Sequence, residues 1–254
     1  MADRYGLAII DEVPAVGVRK AEYFNQATLE HHKQVTMEMI MRDRNHPSVL
    51  MWSLANEPAS FLKESKDYFE AIVNYTRPIA AKRPLTLVTL SDYYEDVAAP
   101  FFDLICINRY YSWYDQEGRL DQITMRLSQN LAEWRKLYPT KPLMMSEYGA
   151  DTIPGLHHSL ALMFTEEFQQ EFLTAYQVSF DNISSLIHPE TGYFVGELIW
   201  NAFDFATKPE VKRVGGLNYK GLFTRQRQPK SAAFTVKRRY EQLEQIPTEN
   251  GTIW

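Results

Sequence analysis

The chain has 254 residues, 45% hydrophobic and 13% aromatic, enough to bury one sizeable core and close to the length of one α/β barrel. A net charge of −5 without any basic run argues against a nucleic-acid partner, and no apolar stretch approaches the ~20 residues of a membrane span, so no membrane partner is expected. The single cysteine, Cys106, has no second thiol to pair with and no Cys/His cluster has ligand spacing, so it reads as packing and neither metal nor cofactor is expected.

From the N-terminus, M-A-D-R-Y-G lacks the layout of a signal peptide. Leu7–Val13 predicts a first strand, entered through Tyr5-Gly6 as though a helix had just ended, and closed by Asp11-Glu12. Consecutive strand residues face opposite ways, so these two acids cannot both face a barrel interior and are taken as structural. Leu29–Asp43 predicts a helix with Val35, Met39 and Ile40 on its core face. Next comes V-L-M-W-S-L-A-N-E-P (Val49–Pro58), an apolar run too short for a helix that ends in Asn56-Glu57 and is stopped by Pro58. That is the pattern of a buried parallel strand delivering a carboxylate at its C-terminal end.

Tyr68–Ala81 predicts a helix, Leu85–Leu90 a third strand, and Asp103–Tyr111 a fourth, which runs into the aromatic tail N-R-Y-Y-S-W-Y. Leu120–Tyr138 predicts a helix with Leu120, Ile123, Met125, Leu127, Leu131 and Trp134 as its apolar positions. Pro142–Gly149 (P-L-M-M-S-E-Y-G) repeats the earlier grammar: an apolar run, then Glu147, then a glycine stop. Thr165–Ile183 predicts a long helix capped by Thr165, with acidic residues in its first turn. Phe194–Phe205 is the sixth strand, followed by a loop with Gly215, Gly216 and Gly221 and a last helix, Ser231–Gln245. The tail Ile246–Trp254 lacks periodicity and reads as loose. The pairs His31-His32 and His157-His158 read as surface or loop residues.

Alternation of strands and helices without repeats or linkers predicts one domain, residues 1–245, with a parallel sheet and right-handed crossovers. The fold class is α/β of the (β/α)8 TIM-barrel type, but only about six strands can be found where a closed barrel has eight. Because the first strand starts within the opening residues, the first two β/α units are expected to be lacking, which would leave parallel edges open. Glu57 and Glu147 are the candidate chemistry. Either alone reads more readily as a helix cap, a salt-bridge partner or a solvated loop residue, whereas two strand-end carboxylates far apart in sequence can face one another across a barrel mouth.

The chain resembles the catalytic barrel of the β-glucuronidases of glycoside hydrolase family 2, in an animal-like form. The residues that carry the resemblance are R-D-R-N-H-P-S-V-L-M-W-S-L-A-N-E-P (Arg42–Pro58), I-N-R-Y-Y-S-W-Y (Ile107–Tyr114), M-S-E-Y-G-A-D-T (Met145–Thr152), M-F-T-E-E-F (Met163–Phe168), V-G-E-L-I-W-N (Val195–Asn201) and N-Y-K-G-L-F-T-R-Q-R-Q-P-K-S-A-A-F (Asn218–Phe234). The first and third mark the wider glycosidase clan, and the last is specific to glucuronidases. The resemblance implies β-sandwich-like domains and the first two barrel strands upstream of the position of Asp3.

Cleaving a glycosidic bond needs one carboxylic acid to protonate the departing oxygen and one carboxylate to meet the oxocarbenium-like centre. By resemblance Glu57 is the acid/base and Glu147 the nucleophile of a retaining, double-displacement hydrolase, and Tyr110 is the donor to Glu147. Resemblance also assigns Asn56 to the sugar 2-hydroxyl, Trp200 to the sugar platform, and Asn218 and Lys220, assisted by Tyr114, to the sugar carboxylate. An ion pair in a water-poor pocket discriminates against uncharged sugars. Two departures bear on that clamp: Leu217 is an extra residue before Asn218, and W-N-A-F-D-F stands where W-N-F-A-D-F is usual.

Sequons at Asn74, Asn182 and Asn250 support a secretory route weakly. The resemblance implies a lysosomal homotetramer that degrades glycosaminoglycans from the non-reducing end. The alternatives are a β-galactosidase or β-mannosidase of the same clan, and a catalytically inactive truncated fragment. A phosphate-handling barrel is disfavoured, because no run of glycine amides opens a helix near Lys220.

Overall fold

A computed structural model describes residues 1–246, so the predicted tail beyond Ile246, with the sequon at Asn250, falls outside it. Two compact units are distinguished, one formed by Met1–Asn108 and Trp134–Met144, the other by Arg109–Glu133 and the chain from Met145 onward.

In the first unit, a short helix α1 (Ala2–Tyr5) ends on Gly6, whose φ of 68° supplies a left-handed C-cap. A single turn is too short for periodicity to announce, which is why only its glycine stop was legible. Strand β1 (Ile9–Glu12) follows, then α2 (Gln26–Asp43), β2 (Val49–Asn56), α3 (Lys63–Thr76), β3 (Leu85–Thr89) and β4 (Ile105–Asn108). Each strand is parallel to the next, in chain order, with Asp11 beside Trp52, Trp52 beside Leu85 and Val88 beside Cys106. Among the described residues β1 pairs only with β2.

Helix α2 starts three residues before its apolar pattern does, because the Asn25 side chain accepts the Thr28 amide at 3.0 Å and caps the first turn. Its core face is as predicted: Met39 and Ile40 are buried, and Val35 packs against the same cluster. That cluster is dominated by Trp52, Leu54, Phe69, Ile72 and Leu85, all inaccessible to solvent. Cys106 packs with Val88 and Leu104, and its thiol is pushed up to about 12 by burial, which leaves it inert. His31 is exposed, as expected, but the surface reading of His32 needs correction. Both lie on α2, and His32 is buried, with Nδ1 3.0 Å from the Tyr68 hydroxyl and Nε2 2.8 Å from the Leu54 carbonyl.

Helix α4 (Ile123–Leu137) and strand β5 (Leu143–Glu147) each contain the point where the two units divide. On α4, Ile123, Leu127, Leu131 and Trp134 are buried, but Met125 is 60% exposed and does not belong to the apolar face. The second unit continues through α5 (Glu166–Asp181), β6 (Phe194–Glu197), a two-stranded ribbon of β7 (Phe205–Ala206) and β8 (Leu217–Asn218), and α6 (Ser231–Glu244). Thr165 caps α5 as predicted, accepting the Phe168 amide at 3.2 Å, with Glu166 and Glu167 in the first turn. Stacked aromatics fill this unit's core, including Phe172 on Tyr176 at 4.8 Å and Phe180 on Phe194 at 4.5 Å.

The predicted sixth strand is broken. Beyond Glu197 the chain is held from two sides: Leu198 and Trp200 amides reach the Met145 and Tyr148 carbonyls, while Leu222 and Phe223 amides reach the Asn201 and Ala202 carbonyls. Residues 205–206 then pair antiparallel with 217–218, which sets Asn218 opposite Phe205.

Candidate active site

Glu57 stands immediately after β2, where its own amide is bound by the Val88 carbonyl at 2.9 Å. Its φ of 46° is left-handed, a backbone state costing a non-glycine residue ~1–3 kcal/mol and concentrated at functional sites. The neighbouring chain fixes this turn from both ends, because the Asn56 amide donates to the Ala15 carbonyl and the Ala59 amide to the Val18 carbonyl. The carboxylate is then held by two donors, Asn108 Nδ2 at 2.9 Å and Arg19 Nη2 at 2.7 Å. Asn56 closes β2 beside it, half-buried.

The rival acids on β1 are engaged elsewhere. Glu12 accepts from Ser53 Oγ at 2.7 Å. Asp11 is pushed up to about 6 by burial and by the adjacent Asp43 carboxyl, with Arg42 opposing.

The second unit carries its own group. Glu147 ends β5 and is buried, with its backbone carbonyl accepting the Arg109 amide at 3.0 Å. Tyr110 donates its hydroxyl to Glu147 Oε2 at 2.5 Å. The Tyr110 ring meets Tyr114 edge-on at 5.2 Å. The ammonium of Lys220 lies 5.6, 5.0 and 4.9 Å from the ring centres of Tyr110, Trp113 and Tyr114, a cationic centre within an aromatic cage.

Lys220 is wholly buried, and its counter-ion is Asp151, itself inaccessible to solvent. Asp151 also accepts from Arg213 Nη1 at 2.9 Å and from the Tyr219 amide at 2.8 Å. Tyr114 Oη receives Lys220 Nζ at 3.1 Å and Arg213 Nη2 at 2.5 Å. Burial pushes the Lys220 ammonium down to about 8, against the pull of Asp151. Asn218 is buried and turns its Oδ1 to the Lys220 amide at 3.1 Å.

Backbone anchors place this cluster. The Gly221 amide donates to Asp204 Oδ1 at 3.0 Å, and a second buried lysine, Lys230, joins Asp204 to the Thr152 and Tyr219 carbonyls. A side chain at Gly149 would collide with the Trp200 carbonyl oxygen. Trp200 is half-buried, its ring edge-on to Phe205 at 6.3 Å.

The predicted residues therefore fall into two groups, Asn56 with Glu57 in the first unit and Tyr110, Tyr114, Glu147, Trp200, Asn218 and Lys220 in the second. Sequence reasoning missed Arg19, Asn108, Asp151 and Arg213. Asp151 lies inside the quoted motif M-S-E-Y-G-A-D-T, and that position was its only signal; Arg19 had none. Among the described residues no group of His, Cys, Asp and Glu is placed to hold a metal ion, and no helix is long and apolar enough to cross a membrane.

Residues 1–245 match the family described as glycosyl hydrolases family 2, TIM barrel domain. The sequence is 48% identical to β-glucuronidase of Homo sapiens over 240 residues, 94% of this chain, and 46% identical to that of Sus scrofa over 243 residues, 96% of this chain. It spans 36% of the length of those relatives. The solved β-D-glucuronidase of Dictyoglomus thermophilum superimposes with a TM-score of 0.87 at 43% identity, covering 94% of this chain and 41% of that one. The β-glucuronidase of Ruminococcus gnavus in complex with uronic isofagomine superimposes with a TM-score of 0.85 at 37% identity, with the same coverage.

Proposed function

The chain belongs to glycosyl hydrolase family 2 through its TIM barrel domain, and on that premise we propose that it is the catalytic barrel of a retaining β-D-glucuronidase. The observation that carries the reading is the Lys220 centre. Two cations, Lys220 and Arg213, share one internal carboxylate, Asp151, which leaves one positive charge for an anionic sugar. Asn218, Lys220 and Tyr114 take the sugar carboxylate, and Trp200 forms the platform under the ring. A buried cationic site of this kind binds a uronate well and leaves a desolvated charge unanswered when the sugar is neutral.

In the proposed mechanism Glu57 gives its proton to the departing oxygen while Glu147 attacks the anomeric carbon. The glycosyl-enzyme ester is then hydrolysed by a water from which Glu57 takes a proton, so configuration is retained. Tyr110 aims the Glu147 oxygens and supports their negative charge through its hydroxyl. Asn56 binds the 2-hydroxyl, a contact that strengthens in the transition state. The relatives named β-glucuronidase support glucuronides as the substrate class; a homotetramer acting on glycosaminoglycan fragments in the lysosome is proposed from the family resemblance alone.

The test is hydrolysis of a chromogenic aryl β-glucuronide by this chain beside its Glu147→Gln variant. Turnover that the substitution abolishes is the expected result. Turnover unaffected by it would overturn the assignment of Glu147, and equal activity of Lys220→Ala on the glucuronide and the matching galactoside would overturn the sugar assignment.

A further inference from the structure

A cleft of about 410 Å³ opens beside Glu57, lined by Arg19, Pro58, Phe61, Leu90 and Glu95. Its walls are the turn after β2 and the loop after β3. A buried carboxylate fastens one to the other: Asp96 accepts from Ser60 Oγ at 2.8 Å, Thr89 Oγ1 at 2.6 Å and the Ala98 and Ala99 amides, while the Val97 amide donates to the Ser60 carbonyl. The cleft is thus rigid, yet it keeps two apolar side chains in water, Phe61 at 52% and Leu90 at 50% exposure.

Arg19 gives the cleft its charge. The Val18 carbonyl is tied to the Ala59 amide, which brings Arg19 over the carboxylate of Glu57. Only one guanidinium nitrogen is used there, and the side chain remains 55% exposed. An arginine fork with spare donors beside an apolar wall suits a ring bearing an anionic substituent. Glu95, on the opposite loop, disfavours the anion at its own end and so orients such a ring.

We propose that this cleft is a leaving-group subsite selective for aglycones that combine an apolar ring with a sulfate, sulfonate or carboxylate, with Arg19 as the specificity-determining residue. The proposal rests on the reading of Glu57 as the acid that faces the leaving group. Phe61 and Leu90 cover the ring and Arg19 binds the anion.

The experiment compares a neutral aryl β-glucuronide with the same compound carrying a ring sulfonate, using the chain, R19A and F61A, and adds ligand-observed NMR of the free aryl sulfonate and of its unsulfonated phenol. The expected result is a preference for the sulfonated substrate that falls at least about tenfold in R19A, with F61A weakening both substrates alike. Aryl sulfonate binding should be lost in R19A while the phenol is retained. A preference unchanged in R19A, or equal loss on both substrates, would overturn the proposal and leave the glucuronidase reading intact. Arginine-dependent sulfonate binding without turnover of any glucuronide would sustain the cleft and overturn the reading of the active site. No sulfonate binding together with no turnover overturns both.

Discussion

The Tyr110 hydroxyl lies 2.5 Å from Glu147 Oε2, while the same ring sits 5.6 Å from the Lys220 ammonium. One side chain thus links the proposed nucleophile to the group proposed to recognise the sugar carboxylate. Geometry of this kind couples two jobs, because a substitution that tilts the ring disturbs both the aim of Glu147 and the cage around Lys220.

Tyr110→Phe keeps the ring and removes only the donor. A hydrogen bond to a charged acceptor contributes ~1.5–3 kcal/mol, so kcat on an aryl β-glucuronide should fall roughly 10- to 150-fold while KM changes little. Steady-state kinetics of the purified variant checks this, and a change confined to KM would contradict the role.

Lys220 should impose an alkaline limb on substrate binding. Burial holds the ammonium down to about 8, so it is charged below that pH and neutral above it. A glucuronide stays anionic throughout, hence kcat/KM should decline as pH rises through about 8, and the decline should be absent for any residual activity on a neutral β-glycoside. Profiles for both substrates decide the matter.

Asp151→Asn removes the charge that opposes the effect of burial on Lys220. The alkaline limb should therefore move to lower pH. Leaving a buried ammonium without its counter-ion should also cost about 3–5 kcal/mol of stability, measured by urea denaturation at neutral pH.

His32 should contribute to acid lability. Burial pushes its imidazole down from 6.5 to about 4, so above pH 6.5 it is neutral in both folded and unfolded chains and has no effect. As pH falls from 6.5 towards 4 the unfolded chain takes up a proton that the native ring refuses, and about 3 kcal/mol of stability is lost. His32→Gln should flatten the pH dependence of the urea midpoint across that window.

Gly149→Ala places a methyl group against the Trp200 carbonyl oxygen, where only backbone movement can make room. A loss of about 3 kcal/mol is expected, read as a lower thermal midpoint. The displacement also shifts the chain between Glu147 and Asp151, so activity should fall in the protein that still folds.

Much was legible because it is local. Strands such as Val49–Asn56 and Leu143–Glu147 are short apolar runs closed by a carboxylate and a breaker, and residue order alone records that. The cap at Thr165 and the core face of α2 are likewise properties of spacing. Where the reading failed, the deciding interaction came from another part of the chain. His32 is buried by Tyr68 and Leu54, Met125 is exposed beside neighbours that are not, and the predicted sixth strand is broken by main-chain bonds from residues 220–223.

By itself, then, the sequence determined the alternation of strands and helices, the family, and the identities of Glu57, Glu147, Asn218 and Lys220 as candidates, because strand periodicity and motif order are written along the chain. Tertiary structure decided what those residues touch. That Lys220 and Arg213 share Asp151, and that Glu57 is held between Asn108 and Arg19, depends on pairs 38 to 69 positions apart. Charges pair through space, so only the folded chain could select these partners.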